Sequence, residues 1–98
     1  MNSDLKKITE NNTVENKIID EFIDYLWLED GLSKNTLNGY RFDLELFSKW
    51  LTKSLKKNIL DVTQADIQQY LSFKFPLSKA RSISRLIASL RRLFRYLL

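Results

Sequence analysis

Between Ser78 and Leu98 the chain carries six cations and no anion: Lys79, Arg81, Arg85, Arg91, Arg92 and Arg95. Arginine grips a phosphate through two parallel hydrogen bonds and reads guanine through its two major-groove acceptors. Ser82 and Ser89 stand among these cations, and their hydroxyls suit a phosphate oxygen or a base edge. Together with Ala88 they are small enough to let a helix sit deep in a groove. Lys79, Arg81, Ser82, Arg85, Ser89 and Arg92 therefore read as one anion-facing set along the open side of a helix. A solvated face would more often mix lysine with glutamate. A weaker set lies upstream in Asn35, Thr36 and Asn38, flanked by Arg41. Asparagine pairs with adenine, and threonine at a helix start holds phosphate. Gly39 costs about 1 kcal/mol relative to alanine inside a helix, tolerable where a close backbone approach is useful. Phe42 on the same open side is unusual for a simple bundle.

Catalytic chemistry finds little footing. Without histidine or cysteine the chain lacks the usual general base, the commonest metal ligand and any disulfide or thiolate site. Asp20, Glu21 and Asp24 sit where solvated helix residues sit. Tyr25, Tyr40, Tyr70 and Tyr96 lie on or near apolar stripes and read as core residues with rim hydroxyls. There is no glycine-rich phosphate loop, so the sequence points to no catalytic residue, metal, cofactor or small molecule of its own.

The elements that must position the two polar sets follow from periodicity. Ile18, Ile19, Phe22, Ile23 and Leu26 form a helical stripe within Val14–Glu29, and Gly31 supplies a left-handed stop. Ser33 caps a second helix over Lys34–Lys53, whose stripe is Leu37, Tyr40, Leu44, Phe47 and Leu51. Thr63 and Asp66 have capping-box spacing ahead of a short third helix, Gln64–Phe73. Pro76 breaks the chain and Ser78 caps the fourth helix, whose stripe is Ile83, Leu86, Ile87, Leu90, Leu93, Phe94 and Leu97. No strand pattern competes. The expected architecture is all-α, a four-helix orthogonal bundle over residues 17–98 behind a flexible leader, residues 1–16.

Charge is distributed unevenly along the 98 residues: residues 1–30 sum to −5, residues 31–75 to +3 and residues 76–98 to +6. An acidic half beside a basic half gives an oriented surface with one side for a polyanion. A nucleic acid is the expected partner. The alternative is a non-catalytic interaction module that docks its basic helix on an acidic protein or an anionic membrane. No apolar run of spanning length and no signal core occurs, and the expected location is the cytoplasm.

Three strings in order carry a resemblance. The first is "FIDYLWLEDGLSKNTLNGYRFDLELFSKWL", with Leu32, Ser33, Asn35, Thr36, Leu37, Tyr40, Asp43, Leu44, Trp50 and Leu51. The second is "DVTQADIQQYL", and the third "SKARSISRLIASLRRLFRYLL". Residues 17–98 thereby resemble the N-terminal core-binding (SAM-like) domain of tyrosine site-specific recombinases of the Xer type, and Trp27-Leu28-Glu29 leans toward the XerD branch. The resemblance implies that helices two and four cross in the major groove of a recombination half-site. It also implies that the other protomers of a tetrameric synapse are partners. The positions matching family contacts are Asn35, Thr36, Asn38, Lys79, Arg81, Ser82, Arg85, Ser89 and Arg92. In the family a separate C-terminal domain holds the catalytic arginines, histidine, lysine and tyrosine. The histidine motif is absent here, so the chain is expected to bind DNA without recombining it. An acidic first helix facing a basic patch on the next subunit is a further expectation of the same kind.

Overall fold

The apolar stripes become helices in the computed structural model, which describes residues 15–98. Helix α1 covers residues 15–25 and widens into a π-helical turn, Leu26–Asp30. Helix α2 is Lys34–Trp50 and runs on into a second π-helical turn, Leu51–Leu55. A 3-10 turn at Ile59–Asp61 leads to α3, Gln64–Lys74, and another at Phe75–Leu77 leads to α4, Ala80–Leu97. Among the described residues there is no strand, and the architecture is the expected all-α bundle.

The punctuation between helices is local chemistry. Gly31 ends the first helix at φ 61°, a left-handed conformation in which a side chain would be strained. Lys56 takes the same conformation at φ 56° after the second π turn, where its N–H closes on the Leu51 carbonyl. The Ser33 hydroxyl accepts from the Thr36 N–H at 3.2 Å. Thr63 and Asp66 form a complete capping box, each side chain accepting from the other's backbone N–H. Asp66 also accepts from the Lys57 ammonium at 2.7 Å. That bond first, then the Thr63 N–H, holds the Asp66 carboxyl below the ordinary range. Ser78 is not the cap of α4: Lys79 occupies that position, and its side chain makes no capping bond.

All four helices face one core. Ile19, Phe22, Ile23 and Leu26 meet Leu37, Tyr40, Leu44, Phe47 and Leu51, and Leu86, Leu90 and Leu93 close over them from α4. Each large apolar side chain withdrawn this way contributes about 1.5–3 kcal/mol against its exposed state. Helix α3 gives the core one fully buried side chain, Tyr70, whose ring lies 4.9 Å from Phe47 and 5.0 Å from Trp50. The expected leader falls outside the described residues up to residue 14. Glu15 and Asn16 already belong to α1, and Glu15 is buried, accepting from the Ser48 hydroxyl on α2.

Candidate nucleic-acid interface

The two helices that carry the polar sets, α2 and α4, pack directly against each other. One side of α2 shows Gly39 and Asp43, four residues apart, to α4. Gly39 is the seat of that contact. A Cβ built there would fall 2.9 Å from Cδ of Arg85 and 3.2 Å from both its Nε and Nη1. The close approach that this glycine permits is thus to an arginine of the same chain. Across the seat, Arg85 Nε donates to one oxygen of Asp43 at 2.8 Å and Nη2 donates to the other at 2.9 Å. Asp43 is nearly buried, at 10 % side-chain exposure, whereas Arg85 keeps 41 %. Hydrogen bonding to the carboxylate pushes the Arg85 pKa further up, against the opposing effect of burial.

The remaining α4 candidates separate by face. Ser82, Arg85, Ser89 and Arg92 step by three and four along the seam that α4 makes with α2 and the end of α1. Ser82 is half-buried, and it lines a shallow cavity of about 140 Å³ with Phe42, Asp43 and Arg85. Ser89 corrects the sequence expectation. It is wholly buried, and its hydroxyl donates to the Leu86 carbonyl at 2.8 Å, so it does not lie on the open side. The reason is helical phase, because Ser89 sits beside Leu86, Leu90 and Leu93 on the core-facing arc. Arg92 donates to Asp30 at the end of the first helix at 2.7 Å, and the Tyr96 ring packs at a tilt against Phe22 and Tyr25, with centroids 5.3 and 4.9 Å away. Arg41 is likewise tied to Asp20 of α1, and Glu21, Asp24 and Glu29 are the exposed acids of that surface with no cation partner among the described residues.

Helix α4 presents a different series outward: Arg81, Ser84, Ala88, Arg91 and Arg95. All but the half-buried Ala88 are exposed. Lys79 is exposed just before the helix. None of these cations has an acidic partner among the described residues. Ser84, Arg91 and Arg95 were not singled out as contacts from the sequence, although a helical projection centred on the buried arc would have placed them farthest from the core. Asp43 was missed as a functional partner because it lies within the apolar stripe of α2.

On α2, Asn35 and Asn38 are exposed, with Phe42 at 57 %. Thr36 is half-buried, and its hydroxyl accepts from the Ser33 hydroxyl at 2.9 Å, tying it into the helix cap. The tyrosines behave as packing residues. Tyr70 is pushed up to about 12, by burial first and then by the negative charge of Asp43, which is unfavourable for a nucleophile at neutral pH. Among the described residues no three acidic side chains gather as they would around a metal ion, and no helix is long and apolar enough to cross a membrane. The surface thus holds one braced arginine at the α2–α4 crossing, a row of cations with no acidic partner among the described residues, and two exposed amides. That inventory suits a polyanion with readable acceptor groups.

Comparison with known proteins points the same way. The family model described as the phage integrase, N-terminal SAM-like domain matches residues 19–98. The tyrosine recombinase XerD of Proteus mirabilis is 46 % identical over 91 residues, which cover 91 % of this chain and 29 % of that protein. The XerD of Haemophilus ducreyi is 46 % identical over 81 residues, 82 % of this chain and 27 % of the relative. The XerD of Pseudomonas aeruginosa is 38 % identical over 89 residues, 89 % of this chain and 29 % of the relative. The chain therefore spans between a quarter and a third of the length of these relatives. No solved structure matches it.

Proposed function

The chain belongs to the phage integrase N-terminal SAM-like domain family, and on that premise we propose that it is the DNA-contacting module of a tyrosine recombinase. Helices α2 and α4 enter the major groove of a recombination half-site. The observation that carries this reading is the outward row of cations on α4, beside Asn35 and Asn38 on α2. Lys79, Arg81, Arg91 and Arg95 neutralise phosphates and release counterions. Asn35, Asn38, Ser82 and Arg85 face the base edges, and the Thr36 hydroxyl, which accepts from Ser33, donates its own hydrogen to a phosphate at the start of α2. Strand cleavage and rejoining belong to the remainder of the parent protein. Its other protomers are partners in the synapse, and the exposed acids of α1 are the surface that meets a neighbour. The setting is the cytoplasm.

Titration of the chain with labelled duplex DNA tests the reading. With these four cations on phosphates, the logarithm of affinity should fall with the logarithm of salt at a slope of about −3 to −4. The amide resonances of α2 and α4 should move while those of α3 stay. A flat salt dependence would sink the proposal. So would tighter binding to anionic vesicles than to duplex at equal ionic strength.

A further inference from the structure

The Arg85–Asp43 pair has a consequence for how sequence is read. We propose that Asp43 is a positioning residue that fixes Arg85 as a guanine-reading fork at the α2–α4 crossing. The inference rests on the DNA-contact reading above and deepens it. A guanidinium carries five N–H donors in one plane. Asp43 engages the Nε hydrogen and one Nη2 hydrogen. The other Nη2 hydrogen and one Nη1 hydrogen run parallel along the far edge, the geometry that meets O6 and N7 of guanine. Among the described residues that edge has no acceptor, and the side chain remains 41 % exposed. Gly39 lets the guanidinium lie directly on the α2 backbone, since a Cβ there would stand 3.2 Å from Nη1. Two bonds and a backbone floor therefore set the plane of the group before any DNA arrives, so less rotamer entropy is lost on contact.

Charge decides between a base and a phosphate as the group being read. The bidentate pair has no net charge, so it attracts a phosphate weakly, and the Asp43 carboxylate opposes an anion brought close to it. A neutral acceptor edge meets no such opposition. Arg85 therefore contributes sequence discrimination and little counterion release, whereas the unpaired cations of the outer row contribute the reverse.

The test uses the 98-residue chain on duplexes selected from a randomised pool, with each guanine of the selected site replaced in turn by 7-deazaguanine, which lacks the N7 acceptor. One replacement should weaken the wild-type chain about tenfold and leave Arg85→Ala nearly unaffected. Arg85→Lys, which keeps the charge and loses the fork, should behave like Arg85→Ala at that guanine. Asp43→Asn should lose the discrimination yet bind random duplex more tightly, with a salt slope steeper by about one. Gly39→Leu, a helix-favouring residue that fills the seat, should also lose the discrimination. Circular dichroism of each variant checks that the bundle is intact. Uniform loss across all duplexes in Arg85→Ala, with the slope reduced by about one, would make Arg85 a phosphate contact and overturn the inference while leaving the DNA-contact reading in place. Discrimination retained in Asp43→Asn and Gly39→Leu would also overturn it. A wild-type chain that binds no duplex at low salt overturns both.

Discussion

The seam and the outer row of α4 hold the same residue type in two different states. On the seam, Arg85 and Arg92 reach acids on other helices, Asp43 and Asp30, at 2.7–2.9 Å. On the outer row, Arg81, Arg91 and Arg95 have no such partner among the described residues. Seam and row differ by about a quarter-turn of helix, enough to bring a side chain within reach of the neighbouring helices or to leave it in water. The number of arginines on a helix therefore overstates the phosphates it can hold. Cations already paired within the fold add shape and hydrogen-bond direction, and the unpaired ones supply the field.

The sharpest way to break this distinction is to remove the seam's central member. Arg85→Ala strands the nearly buried Asp43 carboxylate and should lower unfolding free energy by about 2 kcal/mol. That is less than the loss for a fully buried pair, because Arg85 is partly in water. Asp43→Ala should cost only about 1 kcal/mol, since the freed guanidinium can turn to solvent. The asymmetry is the informative part, read from urea midpoints. Equal and negligible losses would mean that the seam pair is decoration.

A buried acid with no cation beside it among the described residues sharpens the comparison from the other side. Glu15 accepts from the Ser48 hydroxyl, and its second oxygen has no hydrogen-bond partner among the described residues. Burial pushes its pKa up, against smaller opposing contributions from the Ile59 backbone and the Thr52 side chain. The sign follows from linkage: the unfolded chain ionises near 4.5, and the folded chain holds the proton to higher pH. This group's penalty is therefore absent in acid, grows as pH rises from the unfolded value through the raised folded one, and is constant above. Glu15→Gln should stabilise the fold at pH 7 by about 1 kcal/mol and do nothing at pH 3. Thermal melts at the two pH values check both.

Arg92 supplies the next smaller effect. Its pair with Asp30 is exposed on both sides, at 37 % and 40 %, so Arg92→Ala should cost about 0.5 kcal/mol or less. A loss as large as that of Arg85→Ala would show that the seam acts as one cooperative unit.

What the sequence disclosed, and what it hid, follows the same division between local and distant relations. The stripes of α1, α2 and α4, the Gly31 stop, the Ser33 cap and the Thr63–Asp66 box are all relations within four residues, and each was legible. The π-helical turns at Leu26–Asp30 and Leu51–Leu55 were not, because one extra residue per turn leaves the same apolar side chains facing inward. The exposed Asn35, Asn38, Lys79 and Arg81 were read correctly as outward residues. Ser89 was not, since a small polar residue on a core-facing arc looks the same in sequence as one on an open face. The Arg85–Asp43 pair joins residues 42 apart, and no local period connects them. Gly39 signalled a close approach, yet only the fold shows that its occupant is Arg85.

The outer row should give the smallest stability effect and the clearest effect on binding. Arg81→Ala and Arg95→Ala remove exposed side chains with no acidic partner among the described residues, so each should change unfolding free energy by less than about 0.5 kcal/mol. Each should nevertheless reduce the steepness of the salt dependence on duplex DNA by about one, and weaken cognate and random duplexes alike, as a lost phosphate contact does. Arg85→Ala should do the opposite on both axes, losing stability and sequence preference with the slope nearly kept. Measuring the melt, the slope and the cognate-to-random ratio for each variant places every arginine on one side or the other. A row arginine whose loss changes the ratio but not the slope would show that α4 is rotated in the groove, with the outer row at the base edges and the seam toward the backbone.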